Sequence, residues 1–128
     1  MFNLNLVPCL LAAHLSTKYL AESGLIIFTG AAAVFKEPQP DMIGYSLAKT
    51  GVHSLALNLS EKLLSEGKNQ KVLTILPQTI GKDNKPPGAD PEHIAELLKG
   101  WVDGLNVPNN GSFAVLKTKN GAVVPEFV

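Results

Sequence analysis

The feature that most constrains the fold of this chain is an apolar run bounded by Gly24 and Gly30, which reads Gly-Leu-Ile-Ile-Phe-Thr-Gly. Its apolar side chains fall on both alternating faces, as in a strand of a parallel sheet that helices cover on both sides. A second apolar run, residues 72–76, ends at Pro77. The two runs predict parallel strands at residues 25–28 and 72–76, and therefore an α/β fold.

Helical patterns lie between and around these strands. We predict helices at residues 5–21, 42–65 and 91–104, a third strand at residues 112–116, and loops elsewhere. Pro8 falls in the first turn of the first helix, where its missing N–H costs least. Asp90 is placed to cap the last helix, and Pro91 suits the first helical position. Residues 1–128 are predicted to form one domain.

Composition narrows the class of partner. The chain has 45% apolar and 17% charged residues, with 11 basic and 11 acidic side chains. Zero net charge and dispersed charges argue against a nucleic acid as a partner. No apolar run reaches the roughly 20 residues that a membrane helix needs, so no membrane partner is expected. The single cysteine, Cys9, excludes an internal disulfide and favours a reducing compartment, which predicts a cytoplasmic protein.

Tyr45 and Lys49 are the strongest candidates for catalysis. They stand four residues apart in a predicted helix, within the sequence Gly-Tyr-Ser-Leu-Ala-Lys, so both side chains project from one helix face. A cation beside a phenol stabilises the phenolate. Tyr45 is therefore a candidate general acid, and Lys49 is the residue that would tune it. Such pairs also occur by chance on surface helices, so the position of this pair in the fold decides its meaning.

The segment between the first strand and this helix favours the catalytic interpretation. In open α/β sheets, ligands bind beyond the carboxyl ends of the strands. Residues 30–41 leave the carboxyl end of the first predicted strand and lead into the helix that carries Tyr45. If that strand is parallel to its neighbour, this connection borders the ligand crevice.

The order of these features resembles the C-terminal half of a short-chain dehydrogenase/reductase: a strand, a short loop, Tyr-x-x-x-Lys early in a long helix, and a second apolar strand that ends in proline. Within that superfamily the sequence is most similar to dihydropteridine reductases. The segments that carry this similarity are His14-Leu15-Ser16-Thr17-Lys18, Met42-Ile43-Gly44-Tyr45, Ala48-Lys49, Val52-His53, Leu76-Pro77-Gln78-Thr79 and Gly111-Ser112.

The resemblance covers nearly all of the chain and implies the C-terminal half of a Rossmann-like doubly wound parallel sheet. The family's N-terminal βαβ units hold the cofactor pyrophosphate on a Gly-x-Gly-x-x-Gly turn. None of the 11 glycines of this sequence falls in that fingerprint. We therefore expect a C-terminal half, from a shortened isoform, a truncated gene model or a degenerate paralogue.

One departure from the wider superfamily agrees with the narrower resemblance. Most short-chain reductases have a serine that holds the substrate carbonyl, whereas this chain has Ala31, Ala32 and Ala33 in that region. Dihydropteridine reductases resemble the chain in lacking this serine. Because a quinonoid dihydropterin is reduced at a ring imine system, no developing alkoxide requires the hydroxyl.

The resemblance implies that NADH or NADPH reduces quinonoid 6,7-dihydropteridine to the tetrahydropteridine, as in the regeneration of tetrahydrobiopterin. Tyr45 would donate or relay the proton, and Lys49 would also bind the nicotinamide ribose. Pro77 and Thr79 would lie against the nicotinamide carboxamide. The simpler interpretation of these two is a proline that ends a strand and an exposed threonine. The activity is expected in a longer chain.

Other polar and aromatic residues receive simpler interpretations. Asn5 is either part of a proton relay to the lysine, as in the wider superfamily, or a residue at the entry of the first helix. His14, His53 and His93 lie on three predicted helices without the spacing of metal ligands, so they are interpreted as structural and no metal site is predicted. Trp101 recurs with leucines at helical spacing, which predicts a core face.

The helices predicted at residues 5–21 and 42–65 correspond to those that form a four-helix bundle in the family's dimer, which implies a homodimer. Apolar residues at three- and four-residue spacing provide faces for this contact, namely Leu10, Ala13, Thr17, Leu55, Leu59 and Leu63. The alternative function is a catalytically inactive truncated isoform that binds the full-length reductase through these helices.

Overall fold

The computed structural model describes residues 2–78 and 89–128. Its helices are α1 (Phe2–Asn5), α2 (Val7–Tyr19), α3 (Ala32–Lys36), α4 (Ile43–Ser65) and α5 (Pro91–Val102), with a 3₁₀ turn at Pro40–Met42. Its strands are β1 (Leu25–Thr29), β2 (Lys71–Pro77), β3 (Phe113–Lys119) and β4 (Ala122–Phe127). Within the described residues, no helix combines the length and the apolar character needed to cross a membrane.

The strands form one sheet in the order β1-β2-β3-β4. β1 pairs with β2, and β2 with β3, in parallel; β3 and β4 pair in antiparallel fashion. The parallel pairs have the register Thr29 to Ile75 and Pro77 to Leu116. β1 is therefore an outer strand, and the carboxyl ends of β1, β2 and β3 lie on the same side of the molecule. The predicted parallel sheet is confirmed, and β4 extends it.

Helices cover both faces of this sheet. Alternate residues of β2 point to opposite sides: Val72 and Leu76 pack with α2, α3 and α4, whereas Leu73 and Ile75 pack with α5. The result is the three-layered arrangement of a doubly wound fold, as predicted. Burial of both faces explains why β2 is almost entirely apolar.

The first helix is divided, contrary to the continuous helix predicted at residues 5–21. α1 ends at Asn5 and α2 begins at Val7. Pro8 has no N–H with which to continue the i to i−4 ladder to the carbonyl of Leu4. The proline therefore separates a short first turn from the main helix.

Three of the six residues assigned to the dimer face by spacing are buried in the core instead. Leu59 and Leu63 are buried in the core on β1–β3, and Leu55 packs partly against it. On α2, Ala13 is also buried. α4 is apolar around much of its circumference, so spacing alone could not separate the core face from the free face. The exposed apolar residues of α2 and α4 are Val7, Leu10, Leu11, Leu15, Tyr19, Ile43, Leu47, Leu57 and Leu64.

The C-terminal part of the chain contains one feature that was predicted, the Asp90 cap, and one that was not, strand β4. Asp90 caps α5 by accepting a hydrogen bond from the backbone N–H of Glu92 at 3.0 Å, as predicted. β4 was not predicted because Pro125 interrupts its apolar pattern. The strand lies at the edge of the sheet, where proline is tolerated, and Asn120 and Gly121 form its turn with positive φ angles of 51° and 77°.

Candidate active site

Helix α4 brings Tyr45 and Lys49 together, as their spacing predicted. Lys49 Nζ lies 5.9 Å from the centroid of the Tyr45 ring, within the range of a cation–π contact. Both side chains are half-buried. The phenol and the ammonium therefore share one small region at the N-terminal part of α4.

Lys49 also connects α4 to the sheet. Its Nζ donates a hydrogen bond to the carbonyl oxygen of Thr29, at 3.0 Å. Thr29 is the last residue of β1, so the ammonium lies at the carboxyl end of a parallel strand, where α/β folds bind ligands. Partial burial lowers the pKa of Lys49, and the nearby Cys9 thiol partly offsets this effect.

A pocket of about 300 Å³ opens beside this ammonium along the outer edge of β1. Asn5, Cys9, Thr29 and Lys49 are among its lining residues. Burial raises the pKa of the Cys9 thiol, and Lys49 acts in the opposite direction, so Cys9 is not an activated nucleophile. The structure thus brings Asn5 to the same pocket as Lys49; its assignment to a relay stays a prediction.

The number of hydrogen-bond donors on Lys49 decides whether this region fits a nicotinamide ribose. An ammonium has three N–H donors, and among the described contacts Lys49 uses one of them, for Thr29. Lys49 also lines the pocket beside β1, so its remaining donors suit ribose hydroxyls placed there. The residues present therefore fit the nicotinamide end of a dinucleotide. The Gly-rich element that would hold the pyrophosphate is missing from the sequence.

Of the two other predicted cofactor contacts, the structure describes Pro77. Pro77 is half-buried and ends β2 at the carboxyl edge of the sheet, the side on which Lys49 bonds to Thr29. This position agrees with the predicted contact but does not test it. Thr79 lies outside the described residues.

A second concave region lies on the same side and was missed by sequence reasoning. One cavity of about 180 Å³ is lined by Ala32, Ala33, Lys36, Glu37, Gln39 and Gln78. A neighbouring cavity of about 310 Å³ is lined by residues 34–39 with Ser46 and Thr50. Ser46 Oγ, next to Tyr45 in sequence, is buried without a hydrogen-bond partner in the described part of the chain. The polar residues here, including Lys36, carry no motif, so only the fold could bring them together.

Ala31, Ala32 and Ala33 lie in this region. Ala31 and Ala32 are buried, and Ala33 is exposed. Ala32 and Ala33 begin α3 and line the cavity with Gln78, and residues 31–33 offer no side-chain hydroxyl.

Of the three histidines, His53 has the clearest structural role. It is 6% exposed, and its Nε2 accepts a hydrogen bond from the backbone N–H of Ala31 at 3.2 Å. His14 is exposed and His93 half-buried. Within residues 2–78 and 89–128, no group of three side chains is arranged to hold a metal ion.

Sheet order, helices on both faces and a tyrosine–lysine pair at the carboxyl edge together define a partial Rossmann-like α/β fold. Among solved structures, the fold is similar to landomycin C-6 ketoreductase LanV, determined with NADP and rabelomycin, at a TM-score of 0.68 and 19% identity. It is also similar to a short-chain dehydrogenase from Burkholderia cenocepacia in complex with NADP, at a TM-score of 0.65 and 20% identity. No protein-family model matches the sequence.

These similarities establish the fold of the chain. The first alignment covers 87% of this chain and 47% of the ketoreductase; the second covers 94% of this chain and 54% of the dehydrogenase. The chain therefore spans about half the length of the short-chain dehydrogenase/reductase structures that it matches. The predicted half of a doubly wound sheet is confirmed.

Proposed function

We propose that this chain is the catalytic C-terminal half of an NADH- or NADPH-dependent reductase acting on quinonoid 6,7-dihydropteridine, which it converts to the tetrahydropteridine used in tetrahydrobiopterin regeneration. The observation that carries the proposal is the position of Lys49, beside the Tyr45 ring and bonded to Thr29 at the carboxyl end of β1. Two structures of the same fold were determined with NADP, which supports a nicotinamide cofactor here.

In this proposal Lys49 has two roles. Its ammonium holds the nicotinamide ribose from the pocket beside β1 and stabilises negative charge on the Tyr45 oxygen. Tyr45 then donates or relays a proton to the reduced ring. Pro77 and Thr79 are assigned to the nicotinamide carboxamide by resemblance alone. The cofactor, when bound, supplies the hydride.

The pterin is assigned to the cavity of about 180 Å³ that Ala32, Ala33 and Gln78 line. A planar heterocycle fits beside the small side chains of Ala32 and Ala33, and the substrate needs no serine hydroxyl because an imine, not a ketone, is reduced. Ser46, whose hydroxyl is buried without a partner among the described residues, lines the neighbouring cavity of about 310 Å³.

Turnover by Tyr45→Phe is the direct test. We expect the reductase activity, measured as oxidation of NADH or NADPH by quinonoid dihydropterin, to fall by about 10² to 10⁴-fold, the usual contribution of a positioned proton donor. Tyr19→Phe is the matched control, because Tyr19 is exposed at the end of α2. If the unsubstituted protein turns over, as expected of a longer chain that also carries the dinucleotide-binding half, equal activity of Tyr45→Phe would refute the proposed role.

The proposed assembly is a homodimer through the helices near residues 5–21 and 42–65. Leu57 and Leu64, two turns apart on α4, are 48% and 64% exposed. Apolar side chains in such positions are typical of contact surfaces. Light scattering should give twice the mass of one chain, and Leu57→Glu should convert it to the monomer mass. A monomer mass for the unsubstituted chain would refute the proposed homodimer.

The half-length of the chain supports a second candidate, an inactive partner of a full-length reductase. It requires the same exposed helices but no turnover. Mixing the chain with a full-length dihydropteridine reductase separates the candidates: an inactive partner forms a mixed dimer without oxidising cofactor on its own, and Tyr45→Phe leaves this binding unchanged.

A further inference from the structure

Helix α4 bonds to the backbone at the end of β1 in two places, at Thr29 and at Ala31. Lys49 Nζ donates a hydrogen bond to the Thr29 carbonyl at 3.0 Å, and His53 Nε2 accepts one from the Ala31 N–H at 3.2 Å. Lys49 and His53 are one helical turn apart, so they share a face of α4. Between them, the Gly30 N–H donates to the Ile75 carbonyl at 2.8 Å. Each residue of this turn is therefore bonded.

The imidazole is packed directly against this turn. A Cβ atom on Gly30 would lie 2.3 Å from His53 Nε2 and 2.7 Å from a methyl carbon of Leu76, so glycine alone permits the approach. The ring centroids of Phe35 and Phe113 lie 5.5 and 5.8 Å from that of the imidazole, both edge-on. His53 has little freedom to move away while the core is intact.

The Ala31 bond requires an uncharged imidazole. Nε2 can accept a hydrogen bond only while it has a free lone pair, which places the ring proton on Nδ1. Burial lowers the pKa of His53, and the charge of Lys49 lowers it further. The acceptor form therefore persists at neutral pH. Protonation would replace the acceptor by a second donor that faces the Ala31 N–H.

We propose that His53 is a positioning residue of the Tyr45–Lys49 site, which fixes the backbone of residues 29–31 through Ala31 and thereby holds the carbonyl to which Lys49 bonds. The inference deepens the proposed function and rests on it for its catalytic meaning. His53 contacts neither reacting atoms nor cofactor; it acts through the turn.

The surroundings of the imidazole determine how it responds to acid. The groups that contact it from the turn after β1, from α3 and from β3 are uncharged, namely Gly30, Ala31, Phe35 and Phe113. The charge that acts on it from its own helix is Lys49. Acid protonation of His53 is therefore opposed by one ammonium and assisted by no carboxylate among these contacts.

Two substitutions separate positioning from packing. His53→Gln places an amide oxygen near the position of Nε2 and keeps an acceptor that does not titrate. His53→Phe keeps a ring between Phe35 and Phe113 but provides no acceptor. The measured quantities are the pKa of Lys49, from the ¹³Cε and ¹⁵Nζ resonances of labelled lysine, and the ¹⁵N–¹H resonance of Ala31 as a function of pH. Neither measurement needs a cofactor.

We expect the Lys49 pKa to be depressed in the unsubstituted chain and in His53→Gln, and to rise towards the ordinary value of about 10.4 in His53→Phe. In the unsubstituted chain, the Ala31 and Lys49 resonances should shift together at the acid midpoint of the imidazole. In His53→Gln, neither should show that midpoint.

An unchanged Lys49 pKa in a folded His53→Phe chain would overturn the proposal. If His53→Phe does not fold, the acid titration of the unsubstituted chain decides, because a Lys49 resonance that ignores the imidazole midpoint would also overturn it. Failure of the reductase assay with these resonances behaving as expected would reject the proposed activity and keep the positioning role.

Discussion

Helices α4 and α5 cover opposite faces of the same sheet but are built differently. α5 is polar on one side and apolar on the other, begins at a capped Asp90, and buries Ile94 and Trp101. α4 has no side-chain cap, exposes Leu57 and several other large apolar residues, and buries a histidine and a lysine stem against the sheet. α5 therefore has the features of a stable surface helix, whereas α4 departs from them in several places.

The difference indicates where function constrains the sequence. α5 needs nothing beyond its contact with β2 and β3, so pattern, caps and packing agree. α4 places Lys49 and His53 among the apolar residues of its sheet-facing side and exposes large apolar residues such as Leu57 on its free side, and stability alone favours neither. The polar groups cluster at the carboxyl end of β1, and the exposed apolar ones are the proposed dimer contacts.

The largest effect on stability is expected from truncating Trp101, which packs α5 against the sheet. Trp101 is 3% exposed and belongs to the core formed with Leu73, Ile75 and Leu116. Trp101→Ala should lower the free energy of unfolding by about 3 to 5 kcal/mol, through lost burial and the cavity left behind. Val102→Ala, at a 69% exposed neighbour, is the control. Equal urea midpoints for the two variants would refute the assigned core.

A smaller, pH-dependent effect on stability is expected from the buried His53 of α4. The folded pKa of His53 lies below its ordinary value near 6.5, so the unfolded chain binds more protons below that pH. Stability is then full above about pH 6.5 and falls on acidification, by at most about 1.4 kcal/mol per pH unit for one group. Denaturation of the unsubstituted chain and His53→Gln between pH 7 and 5 measures this slope. Parallel curves would contradict a buried neutral His53.

The next effect concerns the start of α5. The Asp90 carboxylate accepts a hydrogen bond from the Glu92 N–H, so Asp90→Ala should cost about 1 kcal/mol of unfolding free energy. Asp90→Ser, which retains a capping oxygen, should recover most of it. If alanine and serine behave alike in thermal unfolding, the cap does not stabilise α5.

The smallest effect on stability should come from Lys49. Burial lowers its pKa in the folded chain, so its charge opposes folding at neutral pH and stops doing so only as the pH rises towards about 10.4. Lys49→Met keeps the aliphatic stem without the charge. We expect an unchanged or higher melting temperature at pH 7, together with loss of cofactor binding. A clear drop in melting temperature would assign Lys49 a structural role instead.

Local signals were sufficient for most of the fold. The helix predicted at residues 42–65 is observed as Ile43–Ser65, and the strand predicted at 25–28 as Leu25–Thr29. Their patterns are long, and both faces of the strand are apolar. β4 was missed even though Asn120 and Gly121 are a strong hairpin signal, because Pro125 outweighed that signal in the apolar pattern.

The site was predictable only where it lies on one helix. Tyr45 and Lys49 are neighbours through helix geometry, so their spacing was enough. The bond from Ala31 to His53 joins residues 22 positions apart, and no local pattern encodes it. For the same reason the cavity residues near Gln78 could not be named from the sequence, since they meet only when β1 and β2 pair.

The most direct test of the account is whether the Tyr45–Lys49 region binds nicotinamide. Reduced nicotinamide mononucleotide is the suitable probe, because it lacks the adenosine half for which this sequence has no Gly-rich turn. It can be titrated into the chain and into Lys49→Met and followed by ¹H–¹⁵N NMR. The account predicts saturable shifts at residues 29–31 and 45–49 that are absent in Lys49→Met. Shifts confined to α5, or unchanged in Lys49→Met, would contradict it.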